Sequence, residues 1–559
     1  MKIKVFLAAI LAMAIVSCNK DNGAPEASVD GETAFVKVNL KEAPGSNMSG
    51  VKAPGTFEYG SADENAVTSV NLYFFDEFGA AYYVNEDNDE NCLVVTKAAF
   101  TASQGTTATN VESVSDVVLV IKKAKKTPPT QVVAIVNAPD TLSKDMSLDY
   151  LQTVLSGDLC SENGFVMSNS VYVDGGVTVI ATPITNDNIF TTSDPAFDSV
   201  EPGDVMPEIE GLNITPIDIY VERVAAKVRV VYANGVDSQL IPVLDEKGTQ
   251  MVDASGSAVY AKVLGWDITN NTDEAALIKS VFPSWTDTEL TFAWNDPVNF
   301  RSYWAYTSDV PQHNLTFEAL MERANFTYDY YYENTKPAAE KNSVDVDENG
   351  GFDDVVDGNQ TPQLLVAAQL VDANGEAIYL AKWYNVLYTI ADAKVAMINT
   401  VASKLYVLDT ENSTDTETHY KSVTAEDVTF YQAAQTTAEK RYEVFVTVKE
   451  GVTYYTKDGK AVEAAEAEKI LAGIEPAQMW QEGYTYYYMN VGHYGDATGI
   501  VRNHCYEFSI NGVKGFGTPV YDPSHVITPE KPQEQESLNL SAQINILSWA
   551  LVSQDVTLQ

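Results

Sequence analysis

Basic residues are scarce in this chain. Its 559 residues carry 35 lysines and arginines against 78 aspartates and glutamates, a formal net charge of -43. A surface so negative repels phosphate backbones and anionic lipid, which excludes nucleic acid and unaided binding to an acidic membrane. A well-solvated extracellular surface explains the acidity by itself. Cysteine is scarcer still, with four in all. Beyond Cys18 there are Cys92, Cys160 and Cys505, an odd count with no metal-type spacing, which leaves a Cys92 to Cys160 disulfide open. Five histidines lie scattered. The sequence has no HExxH, GxSxG, Walker loop or dinucleotide fingerprint, so it does not read as an enzyme, and no cofactor is expected. In DVDENGGFDDVVDG, Asp345, Asp347 and Asn349 ahead of Gly350 resemble half of a calcium loop. Val356 stands where the closing glutamate belongs, so the segment reads as a solvated acidic loop and no metal is expected, with calcium held through Asp353, Asp354 or Asp357 as the alternative.

Long apolar runs are almost absent. The one at the start, VFLAAILAMAIV, follows Lys2 and Lys4, is too short to cross a bilayer, and leads into Ser17-Cys18. This pattern predicts a secretory signal over residues 1–17 ending in a lipobox, with Cys18 acylated as the mature N-terminus. At about 0.8 kcal/mol per buried methylene, several acyl chains would hold the protein on a membrane until the polypeptide is cut.

Residues 18–52 read as a lipidated pro-segment holding one strand. AFVKVNL places Ala34, Val36, Val38 and Leu40 on one face, between the polar NKDNGAPEASVDGET and the loop EAPGSNMSGVKAPG. Lys52-Ala53 lies among glycine, proline and serine, where a trypsin-like protease would find exposed backbone. Lys41 is the competing site.

The body is rich in short β-branched and aromatic runs bounded by Gly, Asn, Asp and Pro, which predicts a mainly β protein of two β-sandwich domains with a few short helices. Strands are expected at 67–75, 92–96, 115–123, 130–137 and 175–184 in a first domain, residues 53–214. IDIYVERVAAKVRVVY opens a second domain, residues 215–535, with strands at 257–268, 361–371, 376–381, 441–448 and 503–513. Helical spacing marks TLSKDMSLDYLQTVLS, AALIKSVF and ADAKVAMINTVASKLYV. The tyrosines of FTYDYYYENT and GYTYYYMNV read as half-buried strand packing, with a sugar-binding platform as the alternative.

Residues 536–559 read as a donor strand. Leu538, Leu540, Ala542, Ile544 and Ile546 share one strand face and Asn539, Ser541, Gln543 and Asn545 the other, and both faces turn apolar from Ile546 to Val552. TPEKPQEQES cuts this strand off from the body, so it could fill a groove elsewhere. Docking as the last strand of its own domain is the alternative.

The order of these features resembles the type V pilus stalk pilins of Bacteroidales, the fimbrillins, in particular those of the short-fimbria major-subunit type. The segments that carry the likeness are the lipoprotein signal, QVVAIVN, FVMSN, VERVAAKVRV, FRSYWAYT, YYYMNVGHYGDATGIVRNHCYEFSINGVKGFGTPV and NILSWALVSQDVTL. The resemblance implies transthyretin-like sandwiches and an assembly route. A lipidated precursor reaches the outer membrane, a trypsin-like protease cuts, here at Lys52-Ala53, and the strand carrying Val36, Val38 and Leu40 leaves. Another copy's Leu538, Leu540, Ile544, Ile546, Trp549 and Leu551 then fill the groove, at about 1.5–3 kcal/mol for each large apolar side chain. The product is an extracellular fimbria serving adhesion and biofilm formation, with accessory anchor and tip pilins as further partners. A tip adhesin or glycan-binding surface lipoprotein is the alternative.

Overall fold

The computed structural model describes residues 33–42, most of 61–192, 215–281 apart from short gaps, 315–335, 362–432, 442–492, 499–527 and 550–558. The chain is mainly β, with several sheets and few short helices. It divides into two compact units: Met1–Asn47, Phe57–Ala225 and Glu274–Ala305 form one, and Met48–Thr56, Ala226–Asp273 and Tyr306–Gln559 the other.

The first unit is built on a ten-stranded sheet. Its principal strands are β1 (Thr33–Glu42), β2 (Ser69–Phe75), β3 (Cys92–Thr96), β4 (Val114–Ile121), β5 (Gln131–Val136), β6 (Met167–Asn169), β7 (Ile189–Thr192) and β8 (Ile217–Arg223). They run in the order β3-β2-β5-β6-β8-β1-β4, with β7 also on β1. The sequences SVNLYFF and QVVAIV are apolar almost throughout, and both strands are buried on both faces. Tyr73, Phe75, Val133 and Ile135 from these strands pack with Leu148 and Leu151 of a one-turn helix, Leu148–Leu151, whose Ser147 hydroxyl accepts the Tyr150 N–H.

Several expectations change here. The helical pattern over 141–156 yields only that single turn, because Leu155–Ser156 pairs as a strand with Ala275–Ala276. AALIKSVF is accordingly not a helix: its first residues form that strand, while Leu277 and Ile278 are buried in the core. Two short segments with mutual hydrogen-bond partners have overridden a helical period. The strand expected over 175–184 breaks into Val177–Val179 and Thr182–Pro183. Gly175 and Gly176, at φ of 57° and 83°, form the tight turn that folds Tyr172–Asp174 back onto Val177–Val179. Cys92 carries a free, buried thiol, so the Cys92 to Cys160 disulfide is not formed. On β3 it lies opposite Tyr73 of β2, in a site closed by apolar packing.

The run IDIYVERVAAKVRVVY is two strands with Val224 between them. β8 is hydrogen-bonded into the first unit's sheet, and the following strand, β9 (Ala225–Tyr232), into that of the second. The second unit continues with β10 (Ile241–Leu244), β11 (Tyr260–Thr269), β12 (Tyr328–Tyr332), β13 (Gln363–Val371), β14 (Tyr484–Asn490), β15 (His504–Lys514) and β16 (Ala550–Leu558). Their order is β12-β9-β15-β10-β11-β13-β14, with β16 on β15. Trp266, Leu364, Val366, Tyr487, Phe508 and Ile510 belong to the core beneath. A second core in this unit lies under the five-stranded sheet that contains Leu380–Trp383 and Ala477–Trp480. It is covered by two helices, Ile390–Asn399, which the sequence pattern anticipated, and Ala464–Leu471, which it did not.

Among the described residues one turn recurs four times across the two units. An apolar strand residue is followed by Asp, two variable residues and Gly, and the chain rejoins itself six residues on, at Phe75 and Ala81, Leu244 and Gln250, Val252 and Ala258, and Val371 and Ala377. In each, the Asp Oδ1 accepts two backbone N–H groups, as Asp372 does from Asn374 at 2.8 Å and Glu376 at 2.9 Å. The glycine of each turn, such as Gly375 at φ 82°, occupies the left-handed region.

Candidate functional site

The strand read as removable stands inside the first unit's sheet. β1 pairs antiparallel with β4 along one edge, from Ala34 opposite Ile121 to Lys41 opposite Val114. Its other edge is shared. Thr33 to Val36 run antiparallel to β7, and Val38 to Glu42 run parallel to β8. Val36 lies opposite Leu119 and Ile189, Val38 opposite Val117 and Ile217, and Leu40 opposite Ser115 and Ile219. Removing β1 would thus leave two rows of backbone groups without partners, one on β4 and one divided between β7 and β8.

β8 is held independently of β1. Past Val221, where β1 ends, come Glu222 and Arg223, both fully buried. Glu222 Oε1 lies 2.8 Å from Lys279 Nζ, which is also without exposed surface. Arg223 Nε donates to the Glu64 carbonyl at 3.0 Å, and its Nη2 donates to Asn65 Oδ1. Glu64 belongs to a local cap in which its carboxylate accepts the Ser61 N–H at 2.7 Å. These are charges that a low-dielectric site tolerates only when paired.

In the second unit, β15 carries β9 on one edge and β16 on the other. Cys505 to Ile510 pair with Lys227 to Tyr232 of β9, all in parallel, and β10 meets β15 further on, at Val513 and Lys514. β16 runs parallel to β15 from Ala550 opposite His504 to Leu558 opposite Val513, with an irregularity between Ile510 and Gly512. The entry to β15 is a buried polar corner. Arg502 Nε donates to Glu333 Oε2 at 2.8 Å with both side chains nearly inaccessible, and Asn503 takes a left-handed φ of 56°. The Tyr506 hydroxyl accepts the Val501 N–H at 2.9 Å, and burial drives that phenol well above its ordinary ionisation range. Along the strand, Arg229 Nε donates to Glu507 Oε2 at 2.6 Å from the position directly opposite.

Of the residues singled out from sequence, Val36, Val38 and Leu40 lie on β1 and Leu551 lies on β16. Cys18, Lys52, Ala53, Leu538, Leu540, Ile544, Ile546, Trp549 and the acidic loop 345–357 lie outside the described residues. Among the described residues no group of three or more His, Cys, Asp or Glu gathers as a metal site, and no helix is long and apolar enough to cross a membrane. Sequence reasoning missed Glu222, Lys279, Glu333 and the Arg229–Glu507 pair. Their only signal is charge inside otherwise apolar runs, as in VERVAAKVRV.

Residues 478–555 match the family described as major fimbrial subunit protein type IV, fimbrillin, C-terminal. The likeness is to a fimbrillin. It spans β14 and β15 and reaches into β16. No curated protein matches the chain. Solved structures with some likeness include a fimbrial assembly protein of Parabacteroides distasonis, 8% identical over 77% of this chain and 97% of that one, TM-score 0.27. A second protein of that organism, assigned to cell adhesion, is 14% identical over 61% of this chain and 76% of its own, TM-score 0.28. The tip fimbrial protein Mfa3 of Porphyromonas gingivalis is 11% identical over 61% and 82%, TM-score 0.24. Those three proteins are named for fimbriae or for adhesion. The description of the matched family names a structural fimbrial subunit and no catalytic activity.

Proposed function

We propose that the chain is a structural stalk subunit of a cell-surface fimbria, each unit a transthyretin-like β-sandwich, polymerised by strand exchange. The precursor is anchored in the outer membrane through Cys18 and cut at Lys52-Ala53 by a trypsin-like protease. β1 leaves, and a neighbouring copy's segment bearing Leu538, Leu540, Ile544, Ile546, Trp549 and Leu551 takes its place, in a fibre completed by anchor and tip pilins and serving adhesion and biofilm formation. The observation that carries this reading is the position of β1. It precedes the proposed cut in sequence, yet fills the middle of the first unit's sheet and is hydrogen-bonded along both edges. A strand so placed is needed for folding, and its loss opens a groove that only another strand can satisfy.

Limited trypsin digestion of the purified precursor, followed by sizing, tests the proposal. A ladder of oligomers is expected that requires both the cut and residues 537–559. A trimmed protein that stays monomeric at high concentration would overturn it.

A tip adhesin or glycan-binding surface protein remains the second reading, on one observation. Tyr384, at φ 46° and largely exposed, holds its ring centre 4.7 Å from that of Trp383, tilted by 54°, at the tip of a hairpin. Tyr384 and Asn385, both at positive φ, form the two-residue turn of that hairpin, which carries the aromatic ring outward. Binding to immobilised glycans that is lost on Tyr384→Ala and indifferent to tail deletion would favour this reading over the stalk.

A further inference from the structure

The tyrosine-rich segment FTYDYYYENT has no part in strand exchange. Its Tyr331, on β12, is buried in the core, and the hydroxyl donates to Asp267 Oδ1 at 2.7 Å. Just before β12 the chain runs on the surface: residues 324–328 are all exposed, Phe326 by 44% and Tyr328 by 47%. The two rings are nevertheless fixed. The Phe326 N–H donates to the Arg323 carbonyl at 3.0 Å and the Phe326 carbonyl accepts the Trp266 Nε1–H at 2.8 Å. The guanidinium carbon of Arg323 lies 4.4 Å from the centre of the Phe326 ring, and Lys227 Nζ of β9 lies 4.6 Å from that of Tyr328. Arg323 is pinned in turn, its Nε donating to the Trp266 carbonyl at 3.1 Å and its Nη2 to Asp329 Oδ2 and, at 3.2 Å, to the Tyr331 hydroxyl. A cation over one face of a ring sets its tilt and leaves the other face to solvent. Tyr330 continues the row, edge-on to Tyr328 with ring centres 5.6 Å apart.

Exposed rings held at a fixed tilt fit a ligand that presents a flat array of C–H groups. The negative face of an aromatic ring attracts the weakly positive C–H hydrogens of a sugar, and a platform already in place loses little entropy on binding. The hydroxyls around such a sugar need partners, and the exposed Asn325 and Thr327 stand before and between the two rings in sequence. Charge decides among sugars. Arg323 is engaged by Asp267 at 3.3 Å and by Asp329, Lys227 is buried, and the chain carries a net charge of -43, so an anionic saccharide is repelled rather than held. We propose that Phe326 and Tyr328 form a stacking platform for a neutral saccharide, with Asn325 and Thr327 bonding its hydroxyls. The platform is distinct from the Tyr384 hairpin and serves a stalk or a tip subunit alike. Carried on every copy in a fibre, a weak site of this kind gains through multivalency.

The full-length precursor is applied to an immobilised panel of neutral oligosaccharides containing glucose, galactose, mannose and N-acetylhexosamines, with sialylated and sulfated counterparts alongside. Binding to members of the neutral set is expected, about tenfold weaker for Phe326→Leu or Tyr328→Leu and lost when the two are combined. Leucine keeps apolar cover over Arg323 and Lys227, so the fold should persist, with the thermal midpoint as the check. Phe326→Tyr and Tyr328→Phe keep the rings and should retain binding, as should Tyr384→Ala. Should a leucine variant fail to fold, Asn325→Ala, which leaves both rings in place, should still weaken binding.

Binding that is unchanged in the double leucine variant overturns the proposal, as does a preference for the sialylated or sulfated set or a failure to bind any member. If Tyr384→Ala abolishes binding and the leucine variants do not, the platform falls and the hairpin reading stands. The trypsin ladder depends on neither set of rings, so it decides the stalk reading separately.

Discussion

Lys279 Nζ lies 2.8 Å from Glu222 Oε1, and neither side chain has any exposed surface. The pair ties a segment from beyond residue 274 to the strand that flanks β1. A buried charge stripped of its partner is strongly destabilising, whereas replacing both partners by apolar groups of similar size is often neutral. Lys279→Met alone should lower stability by about 3–5 kcal/mol in urea unfolding. Lys279→Met combined with Glu222→Leu should recover most of that loss. A double variant as unstable as the single one would mean that the pair is held for more than charge balance.

Gly265 sits at an irregularity between β11 and β13, where the pairing shifts between Val263 and Gly265. A Cβ there would stand 2.0 Å from the carbonyl oxygen of Leu320, in the Phe317–Glu322 helix. That neighbour is backbone and cannot swing aside. Gly265→Ala should therefore destabilise by about 1–3 kcal/mol, the usual range for overpacking, with the thermal midpoint as the measure. Gly375, whose added Cβ would meet nothing within 4 Å, is a control for space but not for conformation, since its φ is 82°.

The recurrent turns make a pH prediction. Backbone N–H donors, those of Glu376 and Asn374 foremost, hold the Asp372 carboxyl below its ordinary value of 3.8. Asp245 is held below the same value, chiefly by the Thr249 N–H. A depressed folded-state pKa gives stability that is complete above the unfolded value and is lost as pH falls through the folded one. The difference in urea midpoint between the protein and its Asp245→Ala, Asp372→Ala double variant should be largest above about pH 4 and shrink below it. A difference independent of pH would show that the turns act only through shape.

Burial pushes the Cys92 thiol up to about 12, against the opposing effects of a hydrogen bond with Tyr73 and the charge of Lys144. Thiolate, the reactive form, is then almost absent near neutrality. A maleimide at mildly alkaline pH should leave Cys92 unmodified in the folded protein and label it once urea is added, as read by peptide mass spectrometry. Labelling in the folded state at the unfolded rate would show that β3 opens readily.

How much of this was legible in the sequence depended on what held each element. Cys92–Thr96, Gln131–Val136 and Gln363–Val371 were readable because continuous apolar runs between turn residues have few other uses. Ile390–Asn399 was readable because its period is its own. AALIKSVF was not, because its pairing with Leu155–Ser156 joins residues far apart in sequence and a helical period cannot report that. Ala464–Leu471, with the sequence AAEAEKIL, is mostly charge and alanine and offered too thin an apolar stripe. The four aspartate turns were visible as an apolar residue, Asp, two variable residues and Gly, but one example carries little weight and the repetition went unread. The alternation AFVKVNL marked a strand in need of partners. That one of its edges is divided between β7 and β8 is a matter of topology, which no local pattern contains.

The parallel run of β16 along β15 has a mechanical consequence. A strand pulled along its own axis, with its neighbour held, must break all of its cross-links to that neighbour at once, whereas a strand peeled from one end gives them up singly. Nine residue pairs loaded along the strand axis therefore resist as a block in shear. The chain's last described strand is thereby held most firmly against a pull along its axis and least against one across it.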